Sequence, residues 1–212
     1  AGDVARILKQ ESPDLLVMFM GTHSAALPER TLREEATDFV CNGEGPLTVL
    51  GLVKSIEAGL EEFHKVPNLW YIDGTDVAHT AAAPVIQDLD NTIPGLAWDL
   101  LPMSHYRAHN WHCFGEIERQ PYGALYTTLG CPYNCSFCCI QAPFKSGEQL
   151  LGYRENVSSY RFWSPESVVN QIDVLVNQYG VRNIKFADEM FVLNKQHVLG
   201  LCERLIDRDY DL

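Results

Sequence analysis

The sequence predicts an α/β chain in two incomplete parts: the later half of a doubly wound domain, then the opening β/α units of a barrel. Three observations carry this. Apolar runs at 14–20 and 38–41 each end in a glycine-bearing loop with a helical pattern beyond it. From residue 124 the order is strand, helix, strand, helix, which is how parallel sheets are built through crossovers. Cys131, Cys135 and Cys138 fall on the loop that ends the first of those later strands.

The elements follow in order. Val4, Ile7 and Leu8 mark a short helix. The continuous apolar run from Asp14 to Met20 fits a central parallel strand. Residues 21–28 read as a loop and 29–35 as a helical turn or two. Residues 38–41 form a second strand, closed by Asn42-Gly43-Glu44-Gly45. Pro46 opens a helix with Leu50, Val53, Ile56 and Leu60 along one side. Residues 69–80 read as a hairpin around Asp73-Gly74. Tyr106, Trp111, His112 and Phe114 form an aromatic cluster suited to packing or to substrate contact.

In the later part, Ala124–Leu129 is a β-branched and aromatic strand, broken by Gly130 and Pro132. Ser164 caps a helix with Pro165 at its first position. Val168, Val169, Ile172, Leu175, Val176 and Tyr179 give it an apolar face, and Gly180 stops it. Residues 181–187 form another strand, ending at Asp188 and Glu189. Asn194 caps a last helix, with Val198, Leu201, Cys202, Leu205 and Ile206 as its face.

Chemistry concentrates in the C-x3-C-x2-C triplet. Iron–sulfur clusters are held by thiolates, normally four. Three ligands leave one iron open, as catalytic metal sites keep one position free. A structural zinc site is the competing reading, but it wants four closed ligands, and only His112 and Cys113 of another segment offer a fourth. Cys139 reads as a small buried residue. Asp188 and Glu189 suit a cationic ligand at a strand end, and equally suit a solvated turn.

The triplet resembles the radical S-adenosylmethionine (SAM) family. That resemblance implies a 4Fe–4S cluster on Cys131, Cys135 and Cys138, with SAM on the open iron. It implies Phe137 near the adenine, and Asp188 and Glu189 near the SAM amino group. Residues 17–29 with 38–45 resemble the cobalamin (B12)-binding, flavodoxin-like domain that precedes many radical SAM domains. Gly21, Thr22, His23, Gly43 and Glu44 then match positions lining the cobalamin pocket. The D-x-H-x-x-G cobalt-ligand motif is absent. The whole chain is similar to bacteriochlorophyll-cyclase-like and hopanoid-modifying relatives.

The implied organisation is a partial B12-binding domain at 1–66, a connector with a hairpin at 67–119 and a partial radical SAM core at 120–212. A flavodoxin-like domain wants about five strands, so the sequence reads as a fragment cut at both ends. The implied function is a cobalamin-dependent radical SAM enzyme that methylates or oxidatively cyclises an unactivated carbon. A cobalamin-independent enzyme such as a methylthiotransferase is the alternative, and a non-catalytic zinc module a third. The implied partners are a small-molecule substrate and a reductant such as flavodoxin or ferredoxin. The net charge of −12 shows no basic footprint for nucleic acid. No apolar run reaches membrane-span length, no signal peptide is visible, and an oxygen-sensitive cluster suits the cytoplasm.

Overall fold

A computed structural model describes residues 1–60, 62–109 and 121–212. Trp111, His112, Cys113 and Phe114 therefore lie outside the described residues. In chain order the elements are α1 (Gly2–Glu11), β1 (Met18–Phe19), α2 (Thr22–Ala26), α3 (Pro28–Glu34), β2 (Phe39–Cys41), α4 (Pro46–Glu57), β3 (Leu69–Asp73), β4 (Asp76–His79), α5 (Leu89–Thr92), β5 (Tyr122–Leu125), β6 (Thr128–Gly130), α6 (Lys145–Leu150), β7 (Tyr160–Phe162), α7 (Pro165–Tyr179), β8 (Asn183–Phe186) and α8 (Lys195–Arg208). They form two compact units: Ala1–Ile86 with Gly130–Ser159, and Gln87–Leu129 with Tyr160–Leu212. These units run across the boundaries drawn from sequence at 66 and 119.

The first unit is built on a sheet of order β1-β2-β3-β4. β1 runs parallel to β2, with Met18 opposite Phe39. The hairpin β3–β4 then adds antiparallel, Cys41 facing Leu69. Gly74 makes the hairpin turn at φ +63°, a conformation that favours glycine. The core is Phe39, Leu52, Val66 and Leu69, with Phe63 edge-on to both Phe39 and Tyr71.

Three expectations for this unit are corrected. The run from Asp14 to Met20 is not a central strand. Only Met18–Phe19 pair, and among the described residues β1 lies at the sheet edge. Side chains take up the backbone before it: Asp38 accepts from the Val17 N–H at 2.7 Å, and the Thr37 hydroxyl donates to the Val17 carbonyl at 2.9 Å. Residues 22–26 are helical rather than loop, because the Gly21 carbonyl accepts from the Ala25 N–H. Finally, α4 buries Thr48, Leu52 and Ser55, leaving Leu50, Val53 and Ile56 exposed. Gly51 explains the rotation. A Cβ there would stand 3.0 Å from Val66, so the helix presses this face onto the core.

In the second unit β5 and β8 pair in parallel, Tyr122 opposite Asn183 and Leu125 opposite Phe186. The helix between them is α7, which buries Val168, Val169, Ile172 and Leu175 as its periodicity predicts. Ser164 accepts from the Ser167 N–H at 3.1 Å, and Gly180 closes the helix in the left-handed region. β6 pairs with β7, a strand absent from the sequence reading. The strand expected at 124–129 is interrupted at Tyr126 and Thr127. In α8 the buried stripe is narrower than expected: His197 and Leu201 are buried, while Cys202 and Ile206 are exposed.

Candidate functional site

The cysteine loop begins at a backbone position that only glycine fits. Gly130 has φ +86°, and a Cβ there would lie 2.3 Å from the Ser159 carbonyl oxygen. Cys131 follows, buried, its carbonyl accepting from the Gln141 amide. Cys135 and Cys138 share a turn closed by the Cys138 N–H on the Cys135 carbonyl at 3.0 Å. Both thiols are exposed, and the Phe137 ring between them is 90% exposed. Cys139 is exposed as well, which corrects its reading as a buried residue: it sits on the next turn, its carbonyl accepting from the Ala142 N–H.

Among the described residues, no three His, Cys, Asp or Glu side chains stand together as a metal-holding group. The three motif thiols are therefore not drawn to a common point. Their chemistry fits an iron–sulfur cluster all the same. All three are free thiols on one loop, and two are solvent-accessible on a single turn.

The same unit carries the glycine loops. Because β1 and β2 are parallel, the loops at Gly21 and Gly43 leave the sheet at one end, where open α/β sheets place ligands. Gly21 has φ +108° and open space where a Cβ would point. Thr22 is half-buried and His23 exposed, at the start of α2. Gly43 is buried, with the Asn68 side chain where its Cβ would be. Glu44 turns to the protein and accepts from the Ile86 N–H. Gly43, Glu44, Asn68 and Val85 line a cavity of about 60 Å³. Pro143 and Gly147, which follow the cysteine loop, line it too. The Ser146 hydroxyl donates to the Asn42 carbonyl at 3.3 Å, holding α6 to this strand end. Open backbone at Gly21 beside that strand end fits a bulky ligand such as cobalamin.

In the second unit, Asp188 and Glu189 follow β8 but differ in their surroundings. Asp188 Oδ1 accepts from the Thr127 N–H (2.9 Å), the Thr127 hydroxyl (3.0 Å) and the Thr128 hydroxyl (2.6 Å). Its Oδ2 is buried and has no hydrogen-bond partner among the described residues. Glu189 is exposed. The Thr127 hydroxyl also meets His197 Nε2 at 2.9 Å. Since that hydroxyl donates to Asp188, the imidazole donates to it. Burial lowers the His197 pKa, against the opposing pull of Asp188. Burial also raises the Tyr126 hydroxyl, helped by the charges of Glu189 and Asp188.

Sequence reasoning passed over Gln141, Glu148, Lys145, Thr127 and His197. Only the polar pair Thr127-Thr128 at a strand end gave any signal. The rest depend on partners far along the chain.

No family model matches the chain. It is 32% identical over 210 residues to an uncharacterized methyltransferase of Pyrococcus horikoshii, covering 99% of this chain and 41% of that protein. It is 30% identical over 211 residues to the anaerobic magnesium-protoporphyrin IX monomethyl ester cyclase of Cereibacter sphaeroides, covering 98% and 31%. Among solved structures, it superposes on the radical SAM methyltransferase TsrM from Kitasatospora setae, bound to cobalamin and a 4Fe–4S cluster. There the TM-score is 0.64 at 17% identity, covering 98% of this chain and 37% of that one. The cobalamin-dependent SAM radical enzyme OxsB, with aqua-cobalamin and SAM bound, gives 0.64 at 21%, covering 98% and 27%. The fold is thus the mixed α/β fold of cobalamin-dependent radical SAM enzymes. In sequence the chain is similar to a methyltransferase and a cyclase, and in fold to cobalamin-dependent radical SAM enzymes. It spans less than half the length of these relatives.

Proposed function

We propose that this chain is part of a cobalamin-dependent radical SAM enzyme that methylates or oxidatively cyclises an unactivated carbon of a small molecule. The observation that carries the reading is the free-thiol triplet Cys131, Cys135 and Cys138. It sits on one loop, in a chain whose relatives are a methyltransferase and a cyclase. These thiols would hold a 4Fe–4S cluster, which would supply the electron for reductive cleavage of SAM.

The protein's own residues orient and exclude water. Phe137, exposed on the cysteine turn, offers a flat face for the adenine. Exposed Glu189 and the buried Oδ2 of Asp188, unpartnered among the described residues, are the acceptors for the SAM ammonium, since Asp188 Oδ1 is already engaged. Gly21, Thr22 and His23 border the cobalamin, with Gly43 and Glu44 shaping the loop behind them. In domain terms, 1–66 belongs to the B12-binding part, 67–119 to the connector and 120–212 to the radical SAM core. Among the described residues no helix is long and apolar enough to cross a membrane. We place the enzyme in the cytoplasm with a flavodoxin- or ferredoxin-type reductant.

The test is Cys131→Ala in the full-length protein, reduced anaerobically with SAM. 5′-Deoxyadenosine should vanish. Wild-type amounts from the variant would overturn the ligand assignment.

A further inference from the structure

We propose that Asn134, Ser158, Lys145 and Glu148 form a strut that positions the cysteine loop. This strut governs how firmly the loop holds its cluster and the potential at which that cluster is reduced. The inference rests on the reading of Cys131, Cys135 and Cys138 as cluster ligands.

The strut begins on the loop itself. Asn134 lies between Cys131 and Cys135. It is an exposed side chain, yet both ends of its amide are engaged by protein. Its Nδ2 donates to the Asn156 carbonyl at 2.5 Å, and its Oδ1 accepts from the Ser158 hydroxyl at 3.1 Å. Water would satisfy an exposed amide equally well, so two protein partners mark a fixed backbone beneath it. Ser158 is buried and in turn accepts from Lys145 Nζ at 2.8 Å. The same ammonium reaches the carbonyls of Glu155 (3.4 Å) and Val157 (3.3 Å).

The far end is anchored in the interior. Lys145 Nζ stands 3.3 Å from Glu148 Oε2, and the Glu148 side chain is 1% exposed. Its other oxygen accepts from the N–H and the hydroxyl of Ser159, each at 2.7 Å. A carboxylate this buried is tolerated only when paired and hydrogen-bonded. Here the pairing fixes Ser159 against Gly130, the residue that enters the cysteine loop. The loop is thus held at its entrance through Ser159 and at its middle through Asn134. One ion pair, with its carboxylate buried and its lysine side chain 32% exposed, supports both holds.

Two consequences follow. Outer partners of metal ligands change metal affinity by ~10-fold to 100-fold when removed. Hydrogen bonds and local charge also tune cluster potentials. Losing the Lys145 cation from this network makes adding an electron to a thiolate-bound cluster harder, so the potential falls.

The experiment uses the anaerobically reconstituted full-length protein, with Asn134→Ala, Lys145→Met and Glu148→Gln beside wild type and Cys131→Ala. Three quantities are read: the rate of iron loss to a ferrous chelator, the EPR spectrum of the reduced cluster, and its midpoint potential. We expect ~10-fold faster iron loss in Asn134→Ala and Lys145→Met, altered EPR in both, and a lower potential in Lys145→Met. Asn134 is exposed, so its variant tests the strut even where Glu148→Gln fails to fold. Wild-type iron loss, EPR and potential in Asn134→Ala and Lys145→Met would overturn the strut alone. Wild type that takes up no more iron than Cys131→Ala would overturn the cluster reading, and the strut with it.

Discussion

Gly130 faces the Ser159 carbonyl so closely that an added methyl group would stand 2.3 Å from its oxygen. With φ at +86°, the position excludes side chains twice over, by torsion and by space. Gly130→Ala should therefore cost ~2–4 kcal/mol, overpacking and left-handed strain together. Urea unfolding measures it. A cost below that of an ordinary surface substitution would mean the loop entrance yields freely.

The helix Pro46–Glu57 offers a paired test of which side faces the core. Leu52 is 5% exposed and Leu50 is 50% exposed. Leu52→Ala should cost ~2–5 kcal/mol, while Leu50→Ala should stay within ~0.5 kcal/mol. A larger cost at Leu50 than at Leu52 in chemical denaturation would restore the face read from sequence.

The acidic pair after β8 should divide its labour. Asp188→Ala strands the Thr127 N–H and two threonine hydroxyls, at a cost of ~1–3 kcal/mol for the buried N–H. Its melting temperature should drop. Glu189→Gln touches no such network and should melt as wild type, while binding SAM several-fold more weakly by calorimetry. The reverse pattern would exchange the two roles.

His197 should make stability fall in mild acid. Its folded pKa lies below 6.5, chiefly through burial. As pH drops through 6.5 the unfolded chain takes up the proton and the folded one does not. Stability is thus fully present above 6.5 and is lost between 6.5 and the lower folded value. Urea midpoints of wild type should fall from pH 7.5 to pH 5.5 more than those of His197→Gln. Parallel declines would remove His197 as the cause.

Ser164 accepts the Ser167 N–H at the start of α7. Ser164→Ala should cost ~1 kcal/mol. A thermal melt unchanged from wild type would show that the cap is replaced by solvent.

Local signals in the sequence determined a good deal. The capping serine and asparagine, Pro165, Gly180 and the hairpin glycine each act within a few residues, and each element they mark is present. The cysteine triplet is likewise a matter of spacing along one loop. Tertiary structure alone decided the rest. Helix periodicity in α4 names an apolar stripe but not what lies opposite, and the close approach of Gly51 to Val66 turned a different stripe inward. The apolar run at 14–20 carries no record of which backbone groups Asp38 and Thr37 occupy from twenty residues away. Asp188 and Glu189 are neighbours of like charge. Only Thr127 and Thr128, which follow β5 and are brought there by its pairing with β8, make one a part-buried acceptor and leave the other in solvent.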